Sequence, residues 1–239
     1  MLKYSIAVAE LPEIAAQLDL PLVDINTTLY DFILTKVNEK LVLRKLIKPT
    51  NDLVLDFCAG KIKYRRIKGG SELIIKATGI NKNKNLSVID ATAGFGRDAY
   101  VMACHGAKVT MIEQNKIVAA LLTDALQRLQ TIEPMPLDLI IENSLDYLAH
   151  IEHLPDVIYL DPMYPEKKKS ALVKKEMQLL QTIVEVDHNP EILLQAALSK
   201  AKQRVVVKRP RTAIYLGNLQ PNFSIEGKAH RFDVYRIHS

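Results

Sequence analysis

Two short stretches concentrate the residues whose types and spacing can do chemistry. Ser87 to Asp98 reads SVIDATAGFGRD, in which a brief apolar strand with Val88 and Ile89 ends in the acid Asp90, and Gly94 and Gly96 follow. Residues without a Cβ allow left-handed backbone angles and close approach of a ligand. A helix starting near Arg97 would turn its free N–H groups toward that ligand, as nucleotide sites require. The second stretch, VIYLDPMYP from Val157 to Pro165, places two prolines within four residues. That makes a rigid, extended exit from a strand and fixes Asp161 and Tyr164 at the sheet edge. Between the two stretches, Glu113 closes the strand after the glycine turn, where a carboxylate can accept hydrogen bonds from a ribose diol. Asn143 and Ser144 close the strand after that, and small polar side chains there suit an adenine edge.

The elements that must carry these residues can be read from periodicity. Leu2, Tyr4, Ile6 and Val8 alternate with Lys3, Ser5 and Ala7, as in a half-buried strand, and a short helix is expected from Pro12 to Leu18. Tyr30 to Val37 with Leu41 to Arg44, and Leu53 to Phe57 with Ile62 to Arg66, predict two hairpins. Residues 1–68 therefore read as a small β-rich N-terminal domain, which carries the basic-aromatic cluster Tyr64, Arg65 and Arg66 but no acid–base constellation. Composition changes at Gly69-Gly70-Ser71, and Ser71 can cap a helix that Gly79 ends. From there strands and helices alternate, so residues 69–239 predict a doubly wound α/β domain. Ile117, Leu121, Ala125 and Leu129 make a packing helix, Asn189-Pro190-Glu191 starts another, and Phe223 to Ile237 reads as a hairpin around Gly227.

Composition bounds the partners. A chain of 239 residues with 48% hydrophobic content can build a sizeable core. A net charge of +5 favours polyanions modestly. Lys167, Lys168 and Lys169 after the second stretch, and Arg209 and Arg211 after the Arg204 to Val207 strand, are the basic residues placed to grip a phosphate backbone. Cys58 and Cys104, the only cysteines, stand in apolar surroundings without C-x-x-C spacing, so neither a disulfide framework nor a metal site is indicated. Buried free thiols suit a reducing cytoplasm. No run approaches the ~18 apolar residues of a membrane span.

Gly94, Gly96 and Ala99 satisfy the dinucleotide fingerprint, so a dinucleotide-dependent oxidoreductase competes for the loop. Asp90 separates the readings, because an acid at that strand end can reach the amino-acid part of S-adenosyl-L-methionine, whereas dinucleotide folds usually carry a small apolar residue there. The Asp161-Pro162-Met163-Tyr164 run resembles the Asp/Asn-Pro-Pro-Tyr/Phe motif of methyltransferases that modify exocyclic amino groups, with Met163 in place of the second proline. In that motif the acid and a backbone carbonyl accept hydrogen bonds from the target amine while the aromatic ring stacks on the base. An exocyclic amine delocalises its lone pair into the ring, so paired acceptors favouring pyramidalisation raise its nucleophilicity.

With DATAGFGRDAY, LDPMYPEKKKSALVKKEM and VVVKRPR in place, the chain from about Phe57 onward resembles the family of ribosomal RNA small subunit methyltransferase J. The resemblance implies a class I S-adenosylmethionine-dependent methyltransferase fold, Rossmann-like with a C-terminal antiparallel hairpin. It implies methyl transfer to the exocyclic N2 of a guanine in 16S ribosomal RNA, with that RNA or the small ribosomal subunit as partner. Cofactor contacts carried over fall on Arg97, Asp98, Glu113, Gln114, Asn143, Ser144 and Asp161, beside the turn residues Asp90, Gly94 and Gly96. The catalytic expectation is Asp161 with the Pro162 carbonyl as amine acceptors and Tyr164 as stacking platform. Another nucleic-acid amine or a protein amine is the alternative substrate.

Overall fold

The computed structural model describes residues 4–47, 51–59, 72–163 and 189–237. The boundary expected at Gly69-Gly70-Ser71, the strand expected from Ile62 to Arg66, Tyr164, and Lys167 to Lys169 lie outside the described residues.

The first sheet comprises β1 (Ile6–Ala9), β2 (Leu22–Val23), β3 (Phe32–Val37), β4 (Lys40–Lys45) and β5 (Leu53–Val54), in the order β2-β1-β3-β4-β5. The β3–β4 hairpin turns at Asn38 and Glu39, both with positive φ, which matches the right-handed strand twist that two-residue hairpins need. The alternation pattern finds this hairpin but not the parallel pairing of β1 with β3, which the helix α1 (Pro12–Leu18) makes possible by carrying the chain back.

The second sheet is built around β6 (Ser87–Asp90). It adds β7 (Lys108–Ile112), β8 (Leu137–Ile140), β9 (Val157–Leu160), β10 (Arg204–Pro210), β11 (Phe223–Glu226) and β12 (His230–Arg236), in the order β11-β12-β10-β9-β6-β7-β8. Pairing is parallel from β8 to β10, and β12 runs antiparallel to both β10 and β11. Helices α2 (Glu72–Thr78), α3 (Arg97–Cys104), α4 (Lys116–Ile132), α5 (Ser144–His150) and α6 (Pro190–Lys200) supply the covering layers. This is the class I methyltransferase arrangement with its terminal antiparallel hairpin.

Strand parity divides the core. Val88, Val157, Tyr159 and Val206 face one layer, with Tyr100, Leu121 and Leu122, while Ile89, Ile158, Leu160, Val205 and Val207 face the other, with Leu148 and Leu193. The first layer also takes in Phe32 and Leu43 of the N-terminal sheet and Phe57 just after it, so both sheets share one hydrophobic cluster. Phe57 stacks on Tyr100 at 5.1 Å between ring centroids, and Arg128 Nη2 on α4 donates to the Leu55 carbonyl at 2.5 Å. Cys58 and Cys104 are unbridged and half-buried, not fully buried as their apolar surroundings suggested. Among the described residues no helix is long and apolar enough to cross a membrane.

Candidate active site

The chemistry gathers where parallel strands end, on either side of β6. After Asp90 the chain turns through Thr92, Gly94 and Gly96 before α3 begins at Arg97. Gly94 and Gly96 both have positive φ, 52° and 66°, but they serve different ends. Gly94 lines the cleft, and its N–H donates to Glu113 Oε2 at 3.0 Å. A Cβ on Gly96 would stand 3.0 Å from each of Leu122, Met111 and Phe57 side-chain atoms, so the core itself requires this glycine, which does not line the cleft.

The cleft is an open groove of about 710 Å³, a figure that includes the solvent at its mouth. Gly94, Glu113, Gln114, Asn143, Ser144, Asp161 and Pro162 line it together, beside apolar Ala91, Ile112, Met163 and Leu193. Glu113 is buried, with Oε1 accepting from the Asn115 N–H at 2.8 Å. Burial pushes its pKa up to about 7, against the lowering effect of its backbone hydrogen bonds. Asn143 caps α5 by accepting from the Leu145 N–H at 2.9 Å, and its Nδ2 donates to Gln114 Oε1 at 2.7 Å. The Ser144 hydroxyl donates to the Ala91 carbonyl at 2.6 Å. These last three residues hold the rims of β6, β7 and β8 in register.

Other expected contacts lie elsewhere. Asp90 is 1% exposed beneath the turn, where Oδ1 accepts from the Thr92 N–H at 3.1 Å; burial and then the nearby Asp98 and Asp161 carboxylates push its pKa up to about 8. Its position below the loop caps the turn and does not form part of the cleft wall. Arg97 places its guanidinium 5.4 Å from the Phe95 ring centroid, and Asp98 does not line the cleft but bonds Lys208 beside it. Arg209 is 5% exposed and donates to the Ile214 carbonyl at 3.3 Å, because strand parity sends it into the layer of Val205 and Val207. It is therefore not available to a phosphate backbone. Arg211 is exposed, in a 3.3 Å ion pair with Glu226.

The residue that sequence reading missed is Lys208. It stands in the basic run after the β10 apolar core, yet parity places it on the face of Tyr159 and Val206. Its ammonium lies 2.7 Å from Asp98 Oδ2 and 2.7 Å from Asp161 Oδ2. The Tyr159 hydroxyl donates to the same Asp98 oxygen at 2.8 Å. The Asp161 backbone N–H in turn donates to the Thr92 hydroxyl at 2.6 Å, tying the end of β9 to the glycine turn. Burial raises the Asp161 pKa; Lys208 and, more weakly, His230 oppose the rise, while Asp98 adds to it. Desolvation alone would lower the Lys208 pKa, but the Asp161 and Asp98 carboxylates raise it above the usual lysine range.

Comparison with known proteins agrees with this fold. The family model "Putative SAM-dependent methyltransferase" matches residues 13–237. Ribosomal RNA small subunit methyltransferase J of Coxiella burnetii is 44% identical over 235 residues, covering 96% of this chain and 92% of the relative. The protein of the same name from Tolumonas auensis is 46% identical over 215 residues, covering 86% of each. A crystal structure of a SAM-dependent methyltransferase from Neisseria gonorrhoeae superposes with a TM-score of 0.75 at 31% identity, covering 98% of this chain and 96% of that one.

Proposed function

The chain belongs to the ribosomal RNA small subunit methyltransferase J family of S-adenosylmethionine-dependent enzymes, and from that premise we propose that it methylates the exocyclic N2 of a guanine in 16S ribosomal RNA. The substrate is that RNA or the small ribosomal subunit, and the place of action is the cytoplasm.

The observation that carries this reading is the pairing, across one cleft, of a nucleoside-binding wall with a rigidly held acceptor carboxylate. Glu113 and Gln114 offer acceptors and a donor to a ribose, Asn143 and Ser144 offer small polar groups, and Ile112 and Leu193 offer apolar surface to an adenine. The missing Cβ of Gly94 leaves room for the chain between ribose and sulfur. These residues fit S-adenosyl-L-methionine. When bound, that cofactor supplies an electrophilic methyl group on a sulfonium.

Asp161 follows the last residue of β9 and is pinned by Pro162, so its carboxylate and the Pro162 carbonyl form a pair of acceptors at the cleft. Two acceptors hold both hydrogens of an aromatic amine and draw its lone pair out of conjugation toward the methyl donor. A carboxylate is too weak a base to deprotonate such an amine outright, so Asp161 orients the nitrogen and stabilises the positive charge that builds on it. Tyr164 is proposed as the platform on which the guanine stacks, and Lys167 to Lys169 and Arg211 as contacts to the surrounding backbone. A guanine within a helix must be flipped out first, at a cost of a few kcal/mol.

The test is incubation with tritiated S-adenosyl-L-methionine and small subunits from cells lacking the gene, followed by digestion of the RNA to nucleosides. Label in N2-methylguanosine, absent with Asp161→Ala, is the expected result. Label in another nucleoside, or in none while S-adenosylhomocysteine still binds, overturns the substrate assignment.

A further inference from the structure

Asp161 is the group that the proposed reaction asks most of, and its carboxylate is held in an unusual way. Three neighbouring strand ends bring Asp90, Asp161 and Lys208 side by side on one sheet face, and α3 lays Asp98 over them. Three carboxylates and one ammonium in a largely buried corner are costly unless each charge is matched by geometry. Lys208 has an 18% exposed side chain and sits 2.7 Å from two of the three. Its anchor is itself fixed, because Asp98 has a 12% exposed side chain and accepts from the buried Tyr159 hydroxyl. The lysine therefore has little freedom to wander, unlike an ammonium on a solvated stem.

We propose that Lys208 is a positioning residue for methyl transfer: its ammonium, braced by Asp98, takes Oδ2 of Asp161 and so turns Oδ1 toward the target amine. This inference rests on the reading of Asp161 as amine acceptor. The Asp161 side chain is 40% exposed and lines the cleft, so Oδ1 is the oxygen that remains for a substrate once Lys208 and Asp98 have set the plane of the carboxyl group. The Thr92 hydroxyl fixes the backbone of the same residue, and both the main chain and the carboxylate of Asp161 are thereby held before substrate arrives. The second role of the ammonium is electrostatic. The groups facing Asp161 are Asp90 at the end of β6, Asp98 on α3, Tyr159 on β9, His230 on β12 and Lys208 on β10. Lys208 is the strongest influence opposing burial, so it favours the ionised carboxyl, the form in which both oxygens only accept hydrogen bonds.

The test compares Lys208→Met and Lys208→Arg with the wild type. Lys208→Met is expected to lower kcat at neutral pH at least tenfold, with KM for S-adenosyl-L-methionine within about threefold. Its acid limb in the kcat–pH profile should move up by at least about one unit, with partial recovery of rate at high pH. Lys208→Arg should recover most of the loss. A second readout needs no turnover: in protein labelled with 13C at the aspartate carboxyls, the Asp161 signal, assigned by its absence in Asp161→Asn, should titrate higher in Lys208→Met. It should titrate lower in Asp98→Asn, which removes a neighbouring carboxylate that raises the Asp161 pKa and leaves Lys208 to Asp161 alone. A wild-type kcat in Lys208→Met, an unmoved Asp161 titration, or a pH-independent loss that arginine does not rescue would each overturn the proposal. Should the wild type label no ribosomal RNA, the amine-acceptor reading falls by itself, while the carboxyl titration still decides whether Lys208 governs Asp161.

Discussion

Glu113 and Asp161 are acids just past the ends of parallel strands that flank the same central strand, and the molecule fixes them by opposite means. Glu113 is held by the backbone, with Gly94 and Asn115 each donating an N–H to one of its oxygens. Asp161 is held by side chains, Lys208 at the carboxylate and Thr92 at the amide. An acid held by amides of nearby loops is preorganised by the turn itself and suits a cofactor bound in every cycle. An acid held by a charged side chain from another strand can be tuned electrostatically, which suits a group that must meet a developing charge.

The largest effect expected from this division is on turnover. Asp161→Asn keeps the shape and one acceptor but loses the charge, and should lower kcat by about 10²- to 10⁴-fold. Its affinity for S-adenosylhomocysteine by calorimetry should stay within about threefold. A comparable collapse in cofactor affinity would merge the two acids into one function. Next in size, Glu113→Ala should weaken S-adenosylhomocysteine binding by about 10- to 100-fold, the range for hydrogen bonds to a charged group, with a much smaller change in kcat at saturating cofactor.

The same contrast decides what could be read from sequence. Glu113 was legible because the strand–turn–helix rhythm places an acid at a fixed step from the glycine turn, and local backbone does the rest. The hairpin at Asn38-Glu39 and the helices at Pro12 and Pro190 were legible for the same reason, since turn residues and a proline in the first helical turn act on the adjacent backbone. Lys208 was not, because its neighbours in sequence are Val207 and Arg209 whereas its partners are 47 and 110 residues away. A basic run looks like a solvated patch, and only strand parity splits it into Lys208 facing the site, Arg209 facing the opposite core and Arg211 facing solvent. Gly96 was half legible: its spacing fits a ligand loop, while its missing Cβ also makes room for Phe57, just past the N-terminal sheet, a contact that no local pattern records.

Glu113 also predicts a pH dependence of cofactor affinity that Asp161 should not share. Its pKa rises from 4.5 to about 7 in the folded protein, so the neutral form is favoured by folding. Its stabilising contribution is fully present below about pH 4.5 and is lost as pH rises through about 7. Ribose hydroxyls donate to the ionised form, so S-adenosylhomocysteine affinity should run the other way and strengthen about fivefold between pH 6 and pH 7. Glu113→Gln should flatten both slopes, measured by calorimetry and by urea unfolding. If Asp161→Asn flattened the affinity slope instead, the titrating group would be on the wrong side of the cleft and the proposed division would fail.

The smallest effect tests the link between the two sides. Thr92 lies in the turn that runs from Asp90 to Gly94, and its hydroxyl accepts from the Asp161 N–H at 2.6 Å. Removing it leaves a half-buried backbone donor at the rim, where water can partly replace the lost partner. Thr92→Ala should therefore cost on the order of 1 kcal/mol at most, seen as a two- to fivefold fall in kcat. Thr92→Ser, which keeps the acceptor, should restore the rate. Affinity for S-adenosylhomocysteine should barely change, because Gly94 and Asn115 go on holding Glu113 without help from Thr92. A loss of affinity as large as that of Glu113→Ala would mean that the turn transmits the Thr92 contact across to the other acid. The backbone-held and side-chain-held carboxylates would then form one mechanical unit, and the separation between cofactor binding and amine positioning would have to be abandoned.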